Sequence, residues 1–146
     1  MSYPVPYSSA VEHLQPDEHE TLGKLEEQFA LIQHTTAEAY KHGERAVHAK
    51  AHGIARGTLT VANGLPPELA QGLFARAGRY EAVIRISTNP GDLLDDSIAV
   101  PRGLALKVIG VDGERLPGSE GDTTQDWVMA NGPAFAAPDP KRSWAI

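Results

Sequence analysis

The sequence predicts an α+β fold in which one long N-terminal helix precedes a curved antiparallel sheet. Apolar residues recur at helical spacing in the first third of the chain. Short apolar segments with a strand-like pattern follow, separated by Gly and Pro. Because helix and strands are segregated along the chain instead of alternating, antiparallel pairing is favoured over βαβ units. The 146 residues suit a single domain.

The helix is expected over residues 17–42. Acidic residues that follow Pro16 favour a helix N-terminus, and Gly43 is a typical stop. One face of this helix is expected to be apolar, and it carries Leu22, Leu25, Phe29, Ile32 and Ala39. We therefore separate an arm with an amphipathic helix, residues 1–43, from a sheet region, residues 44–146.

The sheet region is expected to contain four strands and one short helix. The first strand is long and bends at Gly53 and Gly57, since isolated glycines in a strand favour bulges. The short helix begins near Pro66 and ends at Gly78. The expected strands are residues 44–61, 80–87, 103–111 and 126–130.

Charge and composition exclude several function classes. The net charge of −6 argues against general nucleic-acid binding, which needs a basic surface. Residues 1–43 hold seven acidic and two basic side chains, whereas residues 44–79 hold two acidic and five basic ones. An anionic ligand would therefore prefer the middle of the chain.

The absence of cysteine excludes disulfides, thiolate nucleophiles and cysteine-ligated metal sites, and it permits a reducing compartment. No apolar run reaches the roughly 18 residues of a membrane-spanning helix. The first 20 residues also lack the apolar core of a secretory signal. We therefore expect no membrane span and a cytoplasmic location.

Basic and hydroxyl side chains form the candidate site. His48 and His52 are four residues apart, a separation of about 13 Å on a strand, so we expect no shared metal. Taken one at a time, Arg45, Arg85 and His48 are ordinary residues of strands or strand ends. Their order along the chain carries more information than any one of them.

Three segments in sequence resemble the catalase family. Residues 44–50, ERAVHAK, are similar to the segment that carries the distal haem histidine. Residues 83–88, VIRIST, resemble the family's Arg-Phe-Ser-Thr strand, and residues 100–108, VPRGLALKV, resemble its Asp-Pro-Arg-Gly-Phe-Ala-Val-Lys-Phe strand. Together with Gly121–Thr124, the matches extend over about residues 44–131.

This resemblance implies a haem-dependent hydroperoxide oxidoreductase with heme b as cofactor and hydrogen peroxide or an organic hydroperoxide as substrate. It gives His48 the role of acid and base, which suits an imidazole with a pKa near 6.5. Ser87 would orient His48 through a hydrogen bond. Arg45 and Arg85 would bind the haem propionates, and Val47 would wall the channel.

Two departures from the family pattern alter the expectation. The family's distal asparagine aligns with Asp122, which lacks an amide donor. The proximal Arg-x-x-x-Tyr segment is absent, so the resemblance implies the N-terminal, distal-haem half of a catalase-like β-barrel. We therefore expect little catalase turnover from this chain by itself. Free strand edges would favour a homo-oligomer or a missing C-terminal half as partner.

Two alternative functions stay open. The first is a haem enzyme that acts on fatty-acid hydroperoxides, for which the altered Asp122 and Trp127 positions leave room. The second is an inactive, truncated interaction domain that binds a protein partner through its acidic helix. Haem binding separates both enzyme hypotheses from the interaction domain, and the preferred hydroperoxide separates the two enzymes.

Overall fold

The computed structural model describes Ser8, Ala10, residues 13–134, Ala137 and residues 139–143, and most of the expected arm lies outside them. The elements confirm the expected α+β class. They are the helix α1 (Glu18–Tyr40), the strands β1 (Ala51–Val61), β2 (Gly78–Thr88), β3 (Arg102–Ile109) and β4 (Thr124–Ala130), and a short helix α2 (Pro140–Ser143). No helix among these residues combines the length and the apolar character that crossing a membrane requires.

The four strands form one meander in the order β1-β2-β3-β4, and every neighbouring pair is antiparallel. The registers align Ala51, Ser87, Gly103 and Ala130 in one row across the sheet. Within the described part of the chain the sheet is open, so the expected catalase-like barrel is not confirmed. The strands nevertheless bring segments about 40 residues apart into direct contact.

The chain before β1 differs from the expected long strand. Strand pairing begins only at Ala51, and residues 44–50 are irregular. His48 adopts φ 52°, a left-handed conformation that cannot continue a strand. The expected short helix is likewise reduced to one 3₁₀ turn, Gly72–Ala75.

Helix α1 does not lie across the sheet. The expected apolar face is partly wrong, because Leu22 and Phe29 are 48% and 44% exposed whereas Thr21 and Thr36 are buried. The helix ends at Tyr40, two residues before the expected end at residue 42, and Lys41 there takes a left-handed conformation. It packs against the loop between β2 and β3 instead of against the strands.

The core lies on one face of the sheet, which we call the core face. Val108 is completely buried there beside Leu73 and Val111. The side chains that pack against this cluster are Leu59, Tyr80, Leu106 and Trp127. The 3₁₀ turn covers this end of the core face, and its Phe74 ring lies 5.9 Å from the Trp127 ring. The other side, which we call the open face, carries Arg85 and Ser87.

Removal of two methyl groups from the core should show how much this small cluster contributes. We expect Val108→Ala to lower the free energy of unfolding by about 2 kcal/mol, because the cavity forms in a completely buried site. Ile54→Ala, at a position 71% exposed on β1, should cost well under half of that. Urea unfolding followed by circular dichroism measures both, and equal losses would contradict the assignment of the core.

Candidate functional site

The candidate site lies on the open face, at the end of the sheet where β2 finishes and β3 begins. A row of small residues crosses the strands there, and it consists of Ala51, Ser87, Gly103 and Ala130. Small side chains leave a shallow floor on a pleated sheet, over which a larger ring can lie. The His48 imidazole occupies this floor above Ser87 and Gly103.

The His48 ring is held by one hydrogen bond and one close approach. Its Nδ1 lies 3.0 Å from Ser87 Oγ, as the resemblance predicted for this pair. A β-carbon added to Gly103 would lie 2.5 Å from His48 Cε1, closer than any side chain tolerates. Only glycine at position 103 therefore allows the imidazole to lie this close to the strand.

The backbone of His48 is fixed as firmly as its ring. Its N–H donates to Asn89 O at 2.7 Å, and Arg85 Nη2 donates to its carbonyl oxygen at 2.7 Å. Arg85 also reaches Ala49 O at 3.3 Å. A non-glycine residue with positive φ is strained, and it keeps this conformation only where several surrounding interactions hold it in place. Such strain is concentrated at functional sites in folded proteins.

The loop between β2 and β3 connects His48 to helix α1. Gly91 is packed against the carbonyl of Ala46 and the side chain of Ile32, so it has no room for a β-carbon. The backbone N–H of Leu93 donates to the Tyr40 hydroxyl at 2.9 Å. The helix thus supports the loop whose Asn89 carbonyl accepts from His48.

Positive charge and burial keep the imidazole neutral. The pKa of His48 is lowered from 6.5, first by burial and then by the charges of Arg85 and Arg45. The pKa of Arg85 is also lowered, by burial and by the charge of Arg45. His48 is therefore neutral at pH 7, with a lone pair on one ring nitrogen.

The two predicted arginines lie together beside His48, but they have different surroundings. The Arg85 guanidinium is half-buried and holds the His48 loop through one of its nitrogens. Arg45 is exposed and, among the described residues, has no hydrogen-bond or ion-pair partner. Val47, the predicted channel residue, is 39% exposed next to the histidine. The Arg45 guanidinium could therefore form a charge-assisted hydrogen bond with an anion bound beside His48.

Asp122 is not brought to this site. It lies in the turn before β4, where Arg115 Nε donates to its carbonyl oxygen at 3.0 Å. The register places Thr124 opposite Ile109, about 20 Å along β3 from Gly103. Asp122 and His48 are therefore at opposite ends of the sheet.

The amide at the His48 end belongs to Asn131, a residue that the sequence comparison did not single out. Its N–H donates to Arg102 O at 3.0 Å, and its Oδ1 accepts from the Arg102 N–H at 2.7 Å. These bonds fix Asn131 one position beyond the Gly103–Ala130 pair. The sequence offered only a partial signal, since residue 131 follows directly on the expected strand 126–130, and the observed register is what sets it near Gly103.

Among the described residues, the open face offers side chains that can contact an anionic or apolar ligand, but no tyrosine placed to ligate iron. A neutral imidazole, two arginines and exposed apolar side chains, Ile54 and Val128, lie on the open face. Tyr40 is bonded to Leu93 and Tyr80 packs in the core, so neither of the described tyrosines is available as an iron ligand. Tyr3 and Tyr7 lie outside the described residues. No group of three or more His, Asp or Glu side chains in the described chain is arranged for metal binding.

Gly103→Ala should displace the imidazole. The added methyl group would overlap His48 and press on Ser87, so we expect a loss of about 2 kcal/mol in the free energy of unfolding. Gly57→Ala is the matched control, because a β-carbon at this strand glycine meets nothing within 4 Å. Urea unfolding and the NMR shifts of the His48 ring measure the effect. A Gly103→Ala protein with native stability and native ring shifts would contradict the packing.

Arg45→Ala should raise the pKa of His48 toward 6.5, because one of the two neighbouring positive charges is removed. NMR titration of the imidazole measures this, with His48→Gln assigning the resonance. The folded pKa lies below the unfolded value, so the contribution of His48 to stability is complete above 6.5 and is lost as pH falls through the folded pKa. Arg56→Ala is the control, since Arg56 is paired with Glu81 and does not affect His48. Equal shifts in both variants would contradict the electrostatic assignment.

Comparison with known proteins adds no family to this geometry. No protein-family model, curated protein or solved structure matches the chain.

Proposed function

We propose that the chain forms the distal side of a haem-dependent hydroperoxide oxidoreductase. The observation that carries this proposal is the strained, neutral His48, whose Nδ1 is bonded to Ser87 and whose ring lies beside two arginines. A histidine with only a packing role needs neither the left-handed backbone nor the neighbouring positive charge. The interaction-domain alternative gives no reason for this arrangement.

His48 is suited to move one proton. With the ring proton on Nδ1 donated to Ser87 Oγ, Nε2 keeps its lone pair and accepts a proton from one oxygen of a hydroperoxide. The same nitrogen returns that proton to the leaving oxygen. The lowered pKa favours this return, because the imidazolium formed between two arginines is a stronger acid. A bound haem would supply the redox-active iron at which the peroxide O–O bond is cleaved.

Arg45 and Arg85 would hold the anionic propionates of the haem. Two guanidinium groups that lie close together repel each other unless an anion lies between them. One nitrogen of Arg85 already donates to the backbone carbonyl groups of His48 and Ala49. Arg45 would therefore supply most of the N–H groups that bind the propionates. The exposed Ile54 and Val128 on the same face offer an apolar surface to the macrocycle.

Asn131 is the better candidate for the amide donor that the resemblance assigned to position 122. Its Oδ1 accepts from Arg102, which directs the amide NH₂ group away from that bond and leaves it to donate. An amide next to the His48 end of the sheet could polarise a bound peroxide. The carboxylate of Asp122 would then have no part in the reaction.

One observation favours organic hydroperoxides as a second class of substrate. Val128 is 80% exposed and Ile54 is 71% exposed on the open face, so the approach to the site is wide and apolar. An alkyl chain would lie against such a surface more favourably than water would. Fatty-acid hydroperoxide and hydrogen peroxide should therefore be compared side by side.

The experiment that tests the proposal is a titration of the purified chain with haem, followed by its Soret band. We expect saturable binding, and Arg45→Ala should weaken it about tenfold or more because one charge-assisted bond is lost. Arg56→Ala, which removes a charge paired with Glu81, should leave the affinity unchanged. Equal affinities of the Arg45→Ala and Arg56→Ala variants would contradict propionate binding at this place.

Peroxide turnover by the haem-loaded chain tests the role of His48. His48→Gln should retain the haem affinity and reduce turnover by about 10²-fold, since the acid–base group is lost and the position stays polar. The absolute rate should be well below that of a complete catalase, because no described tyrosine can ligate the iron. Turnover that is the same in the His48→Gln variant would refute the proposed role.

A further inference from the structure

Strand β4 forms one edge of the described sheet, and this edge carries none of the usual protection against strand pairing. The sequence of β4, TQDWVMA, contains no Pro, Gly or Lys. Its single charge, Asp126, is already paired with Lys107 at 2.6 Å on the neighbouring strand. Val128 is 80% exposed on the open face, and Met129 is 41% exposed on the core face.

The opposite edge is protected. Strand β1 contains Gly53 and Gly57, and its register shifts between Ala51 and Gly53. Arg56 is largely exposed in the middle of this strand. Arg56 is paired with Glu81, as Asp126 is paired with Lys107, so the register shift and the glycines are what disfavour the addition of another strand at β1. Another strand would therefore pair more readily with β4 than with β1.

The hydrogen-bonding groups of β4 show how a partner would align. Asn131 donates its N–H to Arg102, which sets the odd-numbered residues of β4 to bond with β3. By the alternation of an antiparallel ladder, the even-numbered residues direct their N–H and C=O groups outward. These are Thr124, Asp126, Val128 and Ala130.

A second copy of β4 matches this edge best when Val128 lies opposite Val128 of the other copy. Trp127 then lies opposite Met129 on the core face and Val128 opposite Val128 on the open face, so the centre of the pairing is apolar on both faces. Asp126 lies opposite Ala130, so no carboxylates oppose each other. A register centred on Asp126 would instead place the two carboxylates together, and one centred on Trp127 would oppose Asp126 to Val128.

An exposed apolar row on the core face, next to β4, also favours a second copy of this chain as the partner. Ile86, Leu104 and Met129 form a row across β2, β3 and β4 that the 3₁₀ turn leaves exposed at 45%, 36% and 41%. In the Val128-centred register, Trp127 of the second copy extends this row beyond Met129. We propose that the chain forms a two-fold homodimer through antiparallel pairing of its β4 strands, which makes one continuous eight-stranded sheet.

Site-specific oxidation tests this dimer, since the chain contains no cysteine of its own. Opposed residues of a hydrogen-bonded antiparallel pair have Cα atoms about 5.5 Å apart, which is within the range of a disulfide. Val128→Cys should therefore form a disulfide-linked dimer under mild oxidation. Ile54→Cys is the matched control, because Ile54 is 71% exposed on the same face but lies on β1.

The solution mass gives the second measurement. The unaltered chain and Ile54→Lys should sediment as concentration-dependent dimers, whereas Val128→Lys should be monomeric with an unchanged circular dichroism spectrum. A monomeric unaltered chain, a dimeric Val128→Lys variant or equal cross-linking of both cysteine variants would overturn the proposal. None of these results depends on haem, so the proposed activity and the dimer fail separately.

Discussion

The close approach of the His48 imidazole to the backbone of Gly103 is the constraint on which the site depends. A side chain at position 103 would overlap the ring, and a residue without a hydroxyl group at position 87 would remove its hydrogen-bond partner. The row of small residues across the sheet is thus the surface on which the His48 imidazole packs. Because strands align their residues in rows, the registers of β1, β2 and β3 must all be correct for this floor to exist.

The left-handed backbone of His48 is the second half of the same arrangement. Arg85 and Asn89 hold the two backbone polar groups of His48, and the loop that contains Asn89 is supported by helix α1. Arg85 therefore acts twice, since it fixes the loop through hydrogen bonds and lowers the pKa of the imidazole through its charge. The helix, whose apolar face is largely exposed, contributes to the site by position more than by core burial.

The two edges of the described sheet differ in how readily they could pair with another strand. Strand β1 carries a register shift and two glycines, whereas β4 is regular and, from Trp127 to Ala130, apolar on both faces. The core face is covered by one 3₁₀ turn, so an apolar row stays exposed next to β4. The site and the free edge lie on one element, since β4 ends at Ala130 in the floor and leads directly into Asn131.

The amino-acid sequence predicts the α+β class and the approximate limits of α1 and of three strands, whereas the hydrogen bond between His48 and Ser87 was expected only from the resemblance to the catalase family. The fold class and the element limits follow from periodicity and from Gly and Pro signals, which are local properties of the chain. The left-handed backbone of His48 in the irregular segment 44–50 depends instead on tertiary contacts, because it is held by Arg85 on β2 and by Asn89 in the loop after β2. The register of β3 and β4 places Asp122 at the far end of the sheet and Asn131 at the end that holds His48. A linear alignment cannot measure a distance of about 20 Å along a hairpin, whereas the hydrogen-bond ladder of the sheet fixes it residue by residue.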